Sequence, residues 1–151
     1  MSTKGILKRV IVILMMSSYL FDAYHKLTYT PIEADKLRAR YQSFYSYSKN
    51  KLGIELPLSS DTLSVNRELI TQSMAAIELV LCVLIWLGIR SSVFFLVVFT
   101  FLHDWVMTNP WSANATAIDK SKGFEVMFIN LSLSAALMIV YSSSSGKSIW
   151  K

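Results

Sequence analysis

The sequence is poor in charged residues, which make up 17% of its 151 residues, whereas soluble domains typically contain about 25%. It has a single cysteine, so no disulfide can form within the chain. Its five glycines are not clustered into a phosphate-binding loop. A Cys-x-x-Cys pair, a His-Glu-x-x-His motif and a nucleophile elbow are also missing. These absences exclude a disulfide scaffold, and the sequence predicts no catalytic residues.

Long apolar stretches dominate what is present. Hydrophobic residues make up 53% of the chain, and its mean hydropathy is +0.42. A helix needs about 20 apolar residues to cross the roughly 30 Å hydrocarbon core of a bilayer. Four stretches meet this requirement, at about 6–27, 70–89, 93–107 and 124–141. The sequence therefore predicts an all-α membrane protein in which residues 1–151 form a single domain, a bundle of four transmembrane helices.

The first of these spans resembles a signal peptide, because Lys4, Lys8 and Arg9 come just before its apolar residues. No cleavage site with small residues follows. We therefore expect this segment to be retained as the first transmembrane helix.

A polar loop of about 28–69 joins the first two spans. Within it, Leu37, Tyr41, Phe44 and Tyr45 recur at spacings of three and four between basic residues. This pattern predicts a short amphipathic helix over 31–47 that lies along the membrane surface. Further along the loop, N-caps for a helix leading into the second span are offered by Ser60, Asp61 and Ser64.

With four spans, both chain ends lie on one side of the membrane, which we call face A. Its basic residues are Lys4, Lys8, Arg9, Arg90, Lys147 and Lys151, and it has no acidic residue. The opposite side, face B, carries the polar loop and the connection between the third and fourth spans, where acids and bases are nearly balanced. The excess of lysine and arginine in short segments predicts that face A is cytosolic or faces a matrix.

Several ionisable or amide side chains, Glu125 among them, fall inside the predicted spans, and we call seven of these residues the polar cluster. They are Asp22, His25, Lys26, Glu78, His103, Asp104 and Asn130. An ionisable residue within a span costs about 2.5 to 3.5 kcal/mol on insertion scales, so each needs an explanation. Because successive helices run in opposite directions, all seven positions fall in the half of the bilayer next to face B.

Three interpretations of the polar cluster are open. In a structural cluster, Lys26 or His25 neutralises Glu78, Asp22 pairs with Lys26, and Asn130 forms a hydrogen bond between helices. In a functional site, the same groups form a proton path or a pocket for a quinone or a lipid headgroup. The two histidines could also ligate a haem or another metal, but no further ligand is suitably spaced, and no metal is predicted.

The order of these features resembles the DoxX-like membrane family, and in particular the short eukaryotic proteins related to hypersensitive-response lesion inducers. The similar motifs are Leu7-Lys-Arg-Val10, Tyr24-His-Lys-Leu27, Pro31-Ile-Glu-Ala34, Gly53-Ile-Glu-Leu-Pro57, Ala76-Ile-Glu-Leu79, Leu87-Gly88, Leu102-His103 and Thr108-Asn-Pro110. The basic C-terminal tail common in the plant proteins is missing. The resemblance implies a four-helix membrane bundle and directs attention to Lys26, Glu78 and His103. Some prokaryotic relatives are subunits of quinone-linked sulfur oxidoreductases, whereas the eukaryotic members have no agreed activity.

The small size and the missing catalytic motifs favour a non-catalytic accessory subunit of a larger membrane assembly, for which we expect a respiratory complex of the mitochondrial inner membrane. The predicted partners are other membrane-protein subunits and lipids, but not nucleic acid, and no cofactor is predicted beyond a quinone or bound lipid.

Two alternatives stay open. One is a DoxX-like quinone-interacting oxidoreductase component that uses His25, Glu78 and His103, and the other is a small stand-alone transporter or lipid-binding protein. A quinone site needs an apolar cleft that reaches Glu78, whereas a transporter needs a water-lined path across the bilayer. An accessory subunit needs partner contacts through lipid-facing residues, which the sequence predicts to be Phe94, Phe95, Leu96 and Phe99.

Overall fold

The computed structural model of the protein describes residues 3–108 and 117–142, and this part of the chain is helical with no strand. The helices are α1 (Thr3–Thr28), α2 (Thr30–Tyr47), a π-helical segment (Ser48–Leu52), α3 (Ser60–Val65), α4 (Arg67–Trp86), α5 (Ser91–Thr108) and α6 (Ala117–Ser142). Asn109 and Pro110 of the Thr108-Asn-Pro110 motif lie outside the described residues, as do Lys147 and Lys151.

Four of the helices are long and apolar enough to cross a membrane. Their candidate spans are Arg9–Thr28 in α1, Arg67–Trp86 in α4, Ser91–Thr108 in α5 and Lys120–Ser142 in α6. The chain is thus a multi-pass integral membrane protein, and the predicted all-α bundle of four transmembrane helices is confirmed. Many large apolar side chains lie on its outer surface, as expected where hydrocarbon rather than water is the solvent.

The half of the bundle next to face A is an apolar core. In the described chain, α1 packs mainly on α4 and α5 mainly on α6, and α4 also contacts α5. The buried core includes Val12 of α1, Cys82 and Ile85 of α4, Leu96 of α5 and Leu137 of α6. Lipid tails are as apolar as these side chains, so close packing rather than water exclusion holds this half together.

A tight turn makes α4 and α5 antiparallel neighbours. Gly88 has a φ of 87°, in the left-handed region that residues with a Cβ rarely adopt. Its backbone N–H donates to the carbonyl of Ile85, and that of Ile89 donates to the carbonyl of Leu84, both at 2.9 Å. These bonds satisfy the last carbonyls of α4, as in a glycine-based helix end.

The amphipathic helix predicted in the polar loop is present as α2. The sequence predicts contact of its apolar stripe with the membrane surface, but Leu37 and Tyr41 are buried, with neighbours in α4 and α5. The Tyr41 hydroxyl donates to the carbonyl of Leu58 at 2.5 Å, and burial raises the pKa of this hydroxyl above its ordinary value. Asp35 pairs with Arg67 at 2.9 Å. The stripe therefore attaches α2 to the bundle.

The helix starts around α3 differ from the sequence prediction. Ser59 is the N-cap of α3, and its hydroxyl accepts the backbone N–H of Thr62 at 3.1 Å. Asn66 separates α3 from α4 without a side-chain cap. The predicted caps Ser60, Asp61 and Ser64 lie inside α3 instead, because the helix is capped by the preceding residue, Ser59.

The prediction that Leu96 faces lipid is wrong. Phe94 and Phe95 are exposed, but Leu96 has no exposed surface and lies in the core. Three consecutive positions span about 200° of an α-helix, so a continuous apolar run must include core-facing and lipid-facing positions alike.

This difference predicts unequal effects of truncating two neighbouring side chains. We expect Leu96→Ala to lower the free energy of unfolding by about 2–5 kcal/mol, because it leaves a cavity in the core. Phe95→Ala, at a site that is 59% exposed, is the matched control and should change it by about 0.5 kcal/mol or less. Thermal unfolding of the purified protein in detergent measures both. A larger loss for Phe95→Ala would contradict the packing described.

Candidate functional site

A buried ion pair joins α1 to α4. The ammonium of Lys26 lies 2.6 Å from Oε1 of Glu78 and 2.7 Å from Oδ2 of Asp22, which is one helical turn earlier on α1. The side chains of Lys26 and Glu78 are buried, whereas that of Asp22 is half exposed. Both pairings expected from the spacing are thus present, and Lys26 connects two carboxylates.

Only one oxygen of the Glu78 carboxylate is satisfied. Oε1 accepts from Lys26, but Oε2 is buried and has no hydrogen-bond partner in the described protein. The side chain of Glu78 is only 3% exposed. A buried acceptor without a partner costs about 1–3 kcal/mol, and more when it is charged. This oxygen is therefore a strong acceptor with no donor from the protein.

A second polar connection joins α5 to α6. The side-chain amide of Asn130 donates to Oδ2 of Asp104 at 2.8 Å. On the other side, Nδ1 of His103 lies 3.6 Å from Oδ1 of Asp104. Asp104 is buried, so it is held by a neighbouring helix rather than by solvent. The expected hydrogen bond of Asn130 between helices is thus present.

These two connections border one cavity of about 450 Å³ in the half of the bundle next to face B. Its lining comes from α1, α4, α5 and α6. Six of the seven polar-cluster residues line it: Asp22, His25, Glu78, His103, Asp104 and Asn130. Lys26 does not line the cavity, but its ammonium contacts Asp22 and Glu78, which do.

Sequence reasoning missed several hydroxyl-bearing residues of the lining, among them Ser18, Tyr19 and Thr100. The Tyr19 hydroxyl shares a hydrogen bond of 2.8 Å with the Ser134 hydroxyl, and that of Thr100 donates to the carbonyl of Leu96. The sequence contains a signal for two of them. Ser18 precedes Asp22, and Thr100 precedes Asp104, by one helical turn, so each shares a helix face with a polar-cluster residue. Tyr19 also belongs to the apolar core, so it marks the inner limit of the cavity.

Exposed side chains of α1 and α6 belong to the cavity lining. These two helices have few contacts with each other, and one of them is the Tyr19–Ser134 hydrogen bond. Nearer to face B, their cavity-lining residues Phe21 and Val126 are 68% and 48% exposed. Both side chains are apolar and lie at a depth where hydrocarbon would surround them. From these exposures we infer that the cavity opens towards the bilayer between α1 and α6.

The two predicted histidines occupy different parts of this site. His25 is at the rim, partly exposed, with Nδ1 3.5 Å from Oε1 of Glu33 and its ring centroid 4.8 Å from that of Tyr29. His103 lies deeper and borders a second, apolar cavity under α2 as well. Among the described residues, no group of three or more His, Cys, Asp or Glu side chains is placed to hold a metal ion.

The site can thus hold a small organic molecule. Its volume lies within the roughly 300–1,000 Å³ typical of such sites, and it combines apolar walls with a few convergent polar groups. Towards face A, the buried apolar core described above closes the bundle.

Comparison with known proteins adds no assignment. No family model matches the chain, and no curated protein or solved structure matches it either. The role of the site must therefore be argued from its own geometry.

The shared ammonium predicts a specific pattern of stability changes. Lys26→Leu should cost about 3–5 kcal/mol, because it leaves buried acid without its partner. Glu78→Leu should cost less, because Asp22 still pairs with Lys26. The double variant should lose less than the sum of the two single losses, since no unpaired Glu78 remains. Thermal unfolding of all four proteins in detergent checks this cycle, and additive losses would refute the pairing.

Proposed function

We propose that the protein binds a small amphipathic molecule with a polar ring, of the quinone class, inside the membrane. The observation that carries this proposal is the cavity of about 450 Å³ whose lining runs from the exposed Phe21 and Val126 to the buried Glu78. Of the open alternatives, a quinone-interacting component is the one that requires a cleft reaching this glutamate with room for a ring.

The distribution of side chains within the cavity supports an amphipathic ligand. Its mouth has the apolar side chains Phe21 and Val126, whereas its inner wall has the carboxyl groups of Glu78 and Asp104. A ring with oxygen substituents can place them at the inner wall and leave its hydrophobic tail at the mouth. A molecule dissolved in the bilayer can enter directly, without crossing a headgroup layer.

The structure gives less support to a transporter. A transport path needs polar groups on both sides of the binding site. On the face A side of this cavity, the described core consists of side chains such as Val12, Ile85 and Leu137, which are fully buried. In the described part of the bundle, this apolar core bounds the cavity on its face A side.

The resemblance to DoxX-like proteins supports the same class of ligand, because some prokaryotic relatives belong to quinone-linked enzymes. On this basis we assign the chain to the family as a hypothesis. We also propose the setting predicted from the sequence, a respiratory assembly of the mitochondrial inner membrane, where quinones are carriers of electrons.

A second candidate function, that of an accessory subunit, is favoured by the surface next to face A. Phe94 and Phe95 are exposed there with their ring centroids 5.9 Å apart. Beside them is a shallow groove of about 190 Å³ between α5 and α6, lined in part by Arg90, Phe94 and Tyr141. A rigid aromatic pair beside a groove suits contact with a partner helix. The two functions are compatible, because they use opposite halves of the bundle.

Blocking the mouth of the cavity tests the binding function. The probe is a benzoquinone with a decyl tail, titrated against the protein in lipid nanodiscs. We expect Val126→Trp to weaken binding by about tenfold or more, because the indole fills the opening. Phe128→Trp is the control, at an exposed position on α6 that does not line the cavity. Absence of saturable binding to the unmodified protein would overturn the proposal.

The accessory role predicts a large complex in native membranes. On blue-native electrophoresis, the 17.1 kDa chain should migrate with respiratory subunits, identified by mass spectrometry, far above the monomer. The combined change Phe94→Ala and Phe95→Ala should release it, whereas Val80→Ala with Val83→Ala, at exposed positions of α4, should not. Migration of the unmodified chain as a monomer would eliminate this role.

A further inference from the structure

We infer that the cavity prefers a ligand that donates hydrogen bonds, so that it takes the dihydroxy form of the ring, the quinol, over the quinone. This inference rests on the proposed function and specifies the ligand of that same site. The observation behind it is that three carboxyl groups line the cavity beside one ammonium, and that one carboxyl oxygen has no donor among the described residues.

Carboxyl groups outnumber ammonium groups at the site. Three carboxyl groups, those of Asp22, Glu78 and Asp104, line the cavity. One ammonium, that of Lys26, contacts two of them, and the third accepts a hydrogen bond from the neutral amide of Asn130. The two histidines at the site add positive charge only when they are protonated. A ligand whose own atoms are electron-rich acceptors is therefore repelled at the inner wall.

The hydrogen-bond donors of the lysine, asparagine and threonine side chains at the site are directed at acceptors of the protein itself. The ammonium of Lys26 is directed at Asp22 and Glu78, and the amide of Asn130 at Asp104. The hydroxyls of Thr100 and Thr108 donate to backbone carbonyls of their own helix. These four groups already have acceptors within the protein, and Nδ1 of His25 and of His103 lies 3.5 and 3.6 Å from a carboxylate oxygen of Glu33 and Asp104. A quinone carbonyl, which can only accept, would have to compete for them.

The Glu78 carboxylate can accept one more hydrogen bond. Its Oε2 has no hydrogen-bond partner among the described residues, and the almost completely buried Glu78 is part of the cavity lining. A hydroxyl of a quinol can donate to this carboxylate, and such a bond to a charged group is among the stronger hydrogen bonds in proteins. The quinone form of the same ring has no hydrogen to donate. Only the quinol can therefore supply the hydrogen bond that Oε2 of Glu78 lacks.

The test compares the two forms of one molecule. The decyl benzoquinone and its chemically reduced quinol are titrated separately against the full-length protein in nanodiscs, the quinol under anaerobic conditions. We expect the quinol to bind about tenfold more tightly or better, as one hydrogen bond to a buried charged group would give. Tighter or equal binding of the quinone would overturn the inference and leave the proposed function in place. Failure of both forms to bind would overturn the proposed function itself.

A pair of variants then locates the preference. Glu78→Gln keeps the shape of the side chain but replaces one acceptor oxygen by an NH₂ donor, so the ratio of quinone to quinol dissociation constants should fall towards one. Glu125→Gln makes the same chemical change at an exposed position of α6 outside the lining, and its ratio should equal that of the unmodified protein. An unchanged ratio in Glu78→Gln would overturn the role of this carboxylate. If Glu78→Gln does not fold, the ratio measured on the unmodified protein still decides the inference.

Discussion

Lys26 is held between Asp22 and Glu78 inside a bundle whose other contacts are largely apolar, and the organisation of the face B half depends on this arrangement. A lysine or glutamate alone at this depth would be costly, so α1 and α4 can adopt this register only with both residues in contact. Within the described chain, the pair leaves the second oxygen of the cavity-lining Glu78 without a donor. The interaction that joins these helices thereby also creates the chemical character of the site.

The bundle is divided along the membrane normal. Next to face A, close packing of residues such as Ile85 and Leu96 brings the helices together. Beyond the Tyr19–Ser134 hydrogen bond, polar groups line a cavity and α1 and α6 leave an opening between them. A closed apolar half and an open polar half are suited to holding a molecule that enters from the bilayer and stops at a fixed depth. The same division leaves the surface around Phe94 available for a partner.

Much of this fold could be predicted from the sequence, because hydrophobic length and buried charge are local signals. The four spans follow from apolar runs, and the common depth of Asp22, Glu78 and Asp104 follows from the alternating direction of the helices. The burial of Leu96 beside two exposed phenylalanines could not be predicted, since an apolar run without polar interruptions does not show which face meets lipid. Tyr19 and Thr100 were missed because uncharged hydroxyl groups cost little within a span: that of Thr100 donates to the preceding turn, and that of Tyr19 bonds to Ser134.

The sequence by itself determined that the protein is helical, that it crosses the membrane with four helices, and that its costly polar groups share one half of the bilayer. Only the tertiary structure decided which of these groups contact one another, that Leu37 and Tyr41 attach α2 to the bundle, and that six polar-cluster residues surround one cavity. The physical reason is that insertion energy depends on the composition of each segment. Pairing, cavity shape and access depend instead on how helices far apart in the chain rotate and pack against one another.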